Sequence, residues 1–90
     1  MYINIAAMQS VKNVPAFFAA VKEAFPEITA GVIAEGYGCL NFGFIIDAPD
    51  ETAEKFASQL TMALMPARWS QCDGDPMLRP GEFYDAREEA

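Results

Sequence analysis

The first residues of the chain alternate between apolar and mixed side chains. In residues 2–8, YINIAAM, the apolar positions Ile3, Ile5 and Ala7 recur at every second residue. This period is typical of a half-buried strand, whose successive side chains point to opposite faces. We therefore expect a first β-strand here, with these three side chains facing the core.

The next segment has a helical period and predicts a helix over residues 14–25. Ser10 and Asn13 are residue types that cap helix starts, and Pro15 falls in the first turn, where its missing N–H costs little. Pro26 ends the pattern. The apolar side chains recur at intervals of three and four residues: Val14, Phe17, Phe18, Val21 and Phe25.

Two β-prone stretches follow, at residues 28–35 and 39–47. The residues between them, Gly36, Tyr37 and Gly38, make a turn-rich break of hairpin length. The two strands are therefore expected to pair antiparallel.

A second helix is predicted to begin near Pro49 and Asp50 and to stop before Pro66. Acidic residues and an early proline suit the positive end of a helix dipole. After the helix, residues 67–72, centred on Trp69, are short and only moderately β-prone, so a last strand there stays open. The core stripe of the helix has 3.6-residue spacing: Ala53, Phe56, Ala57, Leu60 and Leu64.

The element order β, α, β, β, α and an optional β predicts an α+β, ferredoxin-like fold with two helices on one face of an antiparallel sheet. We expect one domain over residues 1–72, followed by an acidic, loop-like tail over residues 73–90. Alternation along the third strand places its aromatic side chains on the covered face and leaves small residues on the open face. The predicted core is Ile3, Ile5, Phe17, Phe18, Val21, Phe25, Leu40, Phe42, Phe44, Phe56 and Leu60.

Composition allows a real core but points away from catalysis and from nucleic acid. Hydrophobic residues make up 52% of the 90 residues, and the formal net charge is −7. Six basic residues do not make a phosphate-neutralising surface, so no direct nucleic-acid binding is expected. The absence of histidine removes His-based nucleophile and metal sites. We expect no enzyme activity, no cofactor and no metal site.

Most of the charge lies in the second half of the chain. Residues 1–46 hold three acids and two lysines, a net charge of −1, whereas residues 47–90 hold ten acids and four basic residues, a net charge of −6. The tail spaces its acids around two aromatic side chains, a composition that suits docking on a basic protein surface, although a solubilising terminus would also explain it. The candidate partner-binding residues are Asp73, Asp75, Glu82, Phe83, Tyr84, Asp85, Glu88 and Glu89.

These features predict a small acidic binding module whose acids stand in for phosphates on a basic, nucleic-acid-facing surface of a partner protein. In size and charge such a module is similar to the inhibitors that phages and mobile elements use against host nucleases and CRISPR complexes. The alternative is a ferredoxin-like regulatory domain that forms a homodimer through its open sheet face and binds a small ligand there. The helix-start acids Asp50, Glu51 and Glu54 are a second candidate docking surface.

A weaker alternative comes from two short segments. Residues 41–45, NFGFI, together with residues 2–4, YIN, resemble fragments of the two signature strands of RNA-recognition motifs, in which aromatic side chains stack on bases. The pattern departs from that family at Leu40, Asn41 and Asp47, which stand where a basic residue, a glycine and an aromatic residue are usual. Exposing Phe42 and Phe44 would also reverse the predicted burial of the strand.

The compartment is predicted to be the cytoplasm. The first twelve residues lack a signal-peptide pattern, and the longest strictly hydrophobic run, residues 16–21, is too short to span a membrane. Cys39 and Cys72 are then expected to be reduced thiols.

Overall fold

Five strands form one mixed sheet with two helices in the computed structural model, which describes residues 1–74 and 76–88 of the chain. The protein is therefore a small α+β domain. The elements in chain order are β1 (Tyr2–Ala7), α1 (Val14–Ala24), β2 (Ile28–Gly36), β3 (Cys39–Ile46), α2 (Asp50–Ala63), β4 (Ala67–Gln71), β5 (Phe83–Asp85) and a 3-10 turn (Ala86–Glu88).

The strands lie in the order β4-β1-β3-β2-β5. β1 pairs antiparallel with β3 and β4, and β2 pairs antiparallel with β3. The stretch around Trp69 therefore does form a strand. Tyr37, with φ of 54°, and Gly38, with φ of 76°, turn the chain between β2 and β3 in the left-handed region.

The prediction of a loop-like tail is wrong for residues 83–85. These residues form β5, which pairs parallel with β2, so that Gly31, Val32 and Ile33 lie beside Phe83, Tyr84 and Asp85. A parallel partner distant in sequence leaves no local turn signal, which is why the sequence did not reveal this strand. The connection over residues 72–82 crosses from the β4 edge of the sheet to the β5 edge, and Leu78 anchors it with a side chain only 4% exposed.

Both helices begin and end as the sequence predicts, within a few residues. Asn13 caps α1, because its Oδ1 accepts a hydrogen bond from the Ala16 N–H at 3.0 Å, and Pro15 lies in the first turn. The first turn of α2 holds Asp50 and Glu51, although its cap residue, Pro49, makes no side-chain hydrogen bond to the helix.

The core lies between the helices and the covered face of the sheet. Of the predicted core residues, Phe17, Phe25 and Phe56 are only half-buried, because they lie at its rim. There the Phe25 and Phe56 rings pack against each other in a tilted arrangement, with their centroids 4.8 Å apart and their planes at 51°. The buried members of the predicted core are Ile3, Ile5, Phe18, Val21, Leu40, Phe42, Phe44 and Leu60.

Gly31 allows α1 to approach the sheet closely. A Cβ atom at this position would lie 2.9 Å from Cε1 of Phe18 and 3.1 Å from the Phe44 ring. Both rings are buried and cannot move aside freely. A side chain at this position would therefore separate α1 from β2 and β3.

Neither helix of the described residues is long and apolar enough to cross a membrane.

Candidate docking surfaces

The fold gathers acidic residues from distant parts of the chain at one end of the sheet. At this end β1, β2 and β5 begin and β3 and β4 finish. The Asp47 N–H donates to the Glu27 carbonyl at 2.8 Å, and the Gly31 N–H donates to the Glu82 carbonyl at 2.8 Å. Near the β4 edge of the sheet, the Cys72 N–H donates to the Tyr2 carbonyl at 2.8 Å, which brings Asp73 to the same end.

We call this surface the acidic end, and all its carboxylate side chains are exposed. It comprises Glu23, Glu27, Asp47, Asp50, Glu51, Asp73 and Glu82. No described Lys or Arg side chain lies within 4.0 Å of an acidic-end carboxylate, so none of these carboxylates is neutralised by an ion pair. The cations that adjoin these segments in the sequence are Lys22, Lys55 and Arg79, and the Met1 ammonium group donates to the Ile46 carbonyl at the same end. Carboxylates therefore outnumber them.

The candidate docking residues of the tail fall into three groups. Asp73 and Glu82 belong to the acidic end and are exposed, and a Glu82 carboxylate oxygen accepts a hydrogen bond from the Arg79 N–H at 2.6 Å. Phe83, Tyr84 and Asp85 form β5. Asp75 and Glu89 lie outside the described residues, and Glu88 is described only by its backbone in the 3-10 turn.

The Phe83 ring is half-buried and packs against other side chains of the same chain. Its ring lies 5.4 Å from the Phe18 ring in an edge-to-face arrangement, and the Lys22 ammonium group lies 4.7 Å above it. Cation and aromatic ring attract one another in this geometry. Phe83 therefore fastens β5 to α1 and lines a shallow depression of about 690 Å³ between them.

The Asp85 carboxylate also pairs with another side chain of the same chain. Its carboxylate accepts two hydrogen bonds of 2.8 Å from the Arg87 guanidinium, and its side chain is only 6% exposed. These bonds lower the pKa of the Asp85 carboxyl. The stability that the pair contributes is present above the carboxyl's unfolded pKa and is lost as the pH falls through the lowered, folded value.

Tyr84 and the face of the sheet opposite the helices form a second surface, which we call the open face. The Asn4 amide donates to the Asn41 side-chain oxygen at 3.1 Å across β1 and β3. Gly43 lies beside this pair, and a Cβ there would meet the Tyr2 ring at 3.5 Å. Burial raises the pKa of the Tyr2 phenol, and the neighbouring Cys72 and Tyr84 raise it further.

The open face has no carboxylate among its described residues. Its side chains are small, aliphatic, amide or aromatic, and Arg68 is its exposed cation. All five strands contribute side chains to the open face, as the strand registers show. These residues are Tyr2, Asn4, Ala6, Val32, Ala34, Cys39, Asn41, Gly43, Ile45, Arg68, Ser70 and Tyr84. The molecule thus separates an acidic end from a face without described carboxylates.

The two cysteines are free, and they lie at opposite ends of the sheet, Cys39 at the start of β3 and Cys72 just after β4. Burial raises the pKa of the Cys72 thiol, and the Asp73 carboxylate adds to that rise. Both effects keep the thiol protonated near neutral pH, which makes it a poor nucleophile. No group of three or more Cys, Asp or Glu side chains in the described part of the chain could hold a metal ion.

The aromatic residues of the segment that resembles an RNA-recognition motif face away from the open face. Phe42 and Phe44 are both 0% exposed, under the helices. Base stacking needs exposed rings on the sheet surface. The prediction that these two rings belong to the core is therefore confirmed.

Comparisons of this chain with protein-family models, with curated proteins and with solved structures find no match. The sequence analysis named Asp73 and Glu82 in the tail and Asp50 and Glu51 at the start of the second helix as candidates, but not Glu23, Glu27 and Asp47. Their grouping depends on which strand ends meet. The predicted antiparallel pairing of residues 28–35 with residues 39–47 would have shown the proximity of Glu27 and Asp47, since a hairpin brings the outer ends of its two strands together.

Proposed function

We propose that this protein is a non-enzymatic binding module whose acidic end docks on a basic, nucleic-acid-facing surface of a partner protein. The observation that carries the proposal is the gathering of exposed, unneutralised carboxylates from four separate segments of the chain at one end of the sheet. Such a field attracts a basic surface over several ångströms and speeds association. The carboxylates then occupy positions that phosphates of a nucleic acid would take.

An inhibitor of the anti-CRISPR type, encoded by a phage or mobile element and acting in the cytoplasm, is the role we propose for such a module. The net charge of −7 supports competition with nucleic acid rather than binding to it. We further propose that residues 1–72 form a ferredoxin-like unit to which β5 is an addition. The order β4-β1-β3-β2 supports this reading.

The test compares two variants of the whole protein as baits. The first neutralises the acidic end through Glu27→Gln, Asp47→Asn, Asp50→Asn and Glu51→Gln, and the control carries Glu35→Gln at the far end of β2. A basic nucleic-acid-binding protein should be retained by the wild type and the control, lost with the first variant, and displaced by added duplex DNA or RNA. Retention that does not change with neutralisation would contradict the proposal.

The open face favours a second candidate function, a homodimeric regulatory domain that holds a small ligand between two such faces. The supporting observation is a broad, half-exposed surface without a described carboxylate in a chain of thirteen acids. Substitution of Gly43 by Arg would place a bulky charge at its centre. Loss of dimers in that variant, with the fold intact, would favour this function over docking by the acidic end.

A further inference from the structure

β4 is the outermost strand on the side of the sheet away from β5, and its outer edge has no partner in the described part of the chain. The Met8 N–H donates to the Pro66 carbonyl at 3.2 Å, and the Cys72 N–H donates to the Tyr2 carbonyl at 2.8 Å. In an antiparallel ladder such bonds recur at every second residue. Arg68 and Ser70 therefore direct their backbone groups to β1, whereas Ala67, Trp69 and Gln71 direct theirs outward.

Apart from the charge of Arg68, this edge lacks the features that usually protect an edge strand. β4 has five residues in unbroken register with β1, and its sequence, ARWSQ, contains no proline and no lysine. Monomeric proteins commonly protect such an edge with a proline, a lysine, a bulge or a covering segment. On the other side of the sheet the edge strand, β5, is only three residues long and the 3-10 turn continues along β2, which leaves little open edge.

We propose that two copies of this chain pair antiparallel through β4, about a two-fold axis at Trp69, to form one continuous ten-stranded sheet. In this register Trp69 faces the same residue of the second copy, and Ala67 faces Gln71. Each of these pairs exchanges both backbone hydrogen bonds, so about six bonds join the two strands. The proposal does not depend on the proposed function.

The charge distribution favours an antiparallel arrangement of two copies of this chain. The two-fold axis sends the acidic ends of the two copies in opposite directions, so their like charges stay far apart. Each acidic end then lies toward the other end of the second copy, where Lys12 and Arg68 are exposed. Within the paired strands, Arg68 faces Ser70 of the second copy, so no like charges meet directly.

The first experiment measures molecular mass by analytical ultracentrifugation over a range of protein concentrations. Gln71→Pro removes an outward N–H without breaking the ladder to β1, and Gln71→Ala is the matched control that keeps this N–H. We expect the wild type and the control to dimerise with dissociation constants within about twofold, and the proline variant to bind at least about tenfold more weakly. A wild-type protein that stays monomeric up to about 1 mM would overturn the proposal.

The second experiment keeps the proposal testable if the proline variant does not fold. Hydrogen exchange of the wild type, followed by NMR, should show that the amides of Ala67, Trp69 and Gln71 become protected as the protein concentration rises. Those of Arg68 and Ser70 should be protected at every concentration, because they bond to β1. A dimer in which the three outward amides exchange freely would overturn the proposal and assign association to another surface, such as the open face.

Discussion

The two faces of β3 differ sharply in side-chain size and burial, although they come from alternate residues of one strand. Phe42 and Phe44 are fully buried under the helices, whereas Asn41 and Ile45 are half-exposed on the open face. The covered face holds large apolar rings that fill space against α1. The open face of β3 holds smaller and amide side chains, so stability resides mainly on the covered side and surface available for binding on the other.

Truncation of Phe44 should have the largest effect on stability. Phe44→Ala removes a buried ring that contacts Phe18 from α1, with the two centroids 6.5 Å apart, and we expect a loss of about 3 to 5 kcal/mol in the free energy of unfolding. Ile45→Ala, the adjacent residue on the open face, should cost about 1 kcal/mol. Urea denaturation measures both. Similar losses for the two variants would contradict the division between the faces.

Gly31 on the covered face and Gly43 on the open face allow a second comparison of how tightly the two faces are packed. Gly31→Ala should cost about 1 to 3 kcal/mol, because its Cβ would press on the buried Phe18 and Phe44 rings. Gly43→Ala meets Cγ1 of Val32 at 3.0 Å, but the Val32 side chain is half-exposed and has room to shift. Thermal denaturation should therefore give a lower midpoint for Gly31→Ala than for Gly43→Ala. The reverse order would show that the open face is packed as tightly as the covered one.

The asparagine pair tests how much the open face contributes to stability. Asn41→Ala removes the acceptor of the hydrogen bond from Asn4, and we expect a loss of about 0.5 to 1.5 kcal/mol, since water can still reach the half-exposed Asn4 amide. A double-mutant cycle with Asn4→Ala isolates this contact. Coupling near zero would mean that the pair is a feature of the surface without a stabilising role.

The smallest expected effect concerns nucleic acid. Titration of the protein with labelled single-stranded and duplex RNA and DNA at physiological salt should give no change in anisotropy, because only six basic residues are present. The rings that would stack on bases are buried on the covered face. Binding that weakens steeply with added salt would instead show a basic patch and would contradict the proposed role of the acidic end.

Much of the fold was predictable because its signals are local. The alternation along β3 and the helical spacing of Phe18 and Val21 follow from neighbouring residues alone, and burial of these side chains confirms the predictions. The strand β5 was not predictable in this way. It has three residues, too few to show a period, and its pairing depends on β2, some fifty residues earlier in the chain.

The docking surface was predictable only in part, for a related reason. The excess of acids in the second half of the chain pointed to the tail, but Asp85 bonds to Arg87 and Phe83 packs on Phe18. The exposed charge instead comes from several strand ends and helix ends that meet in space. Charge counted along a chain does not show which side chains the fold will use internally.

The short pairing of β5 with β2 also sets where the domain is expected to open first. Beyond three residues of parallel ladder and the adjoining hydrogen bond from Gly31 to Glu82, this strand is held mainly by the ring contact with Phe18, the Lys22 cation over Phe83 and the Arg87 guanidinium on Asp85. Elements with so few contacts open by local unfolding at a free energy well below that of the whole domain. Each such opening would expose the edge of β2 and the Phe18 ring together, which makes the β5 edge the expected starting point for strand exchange and for proteolysis.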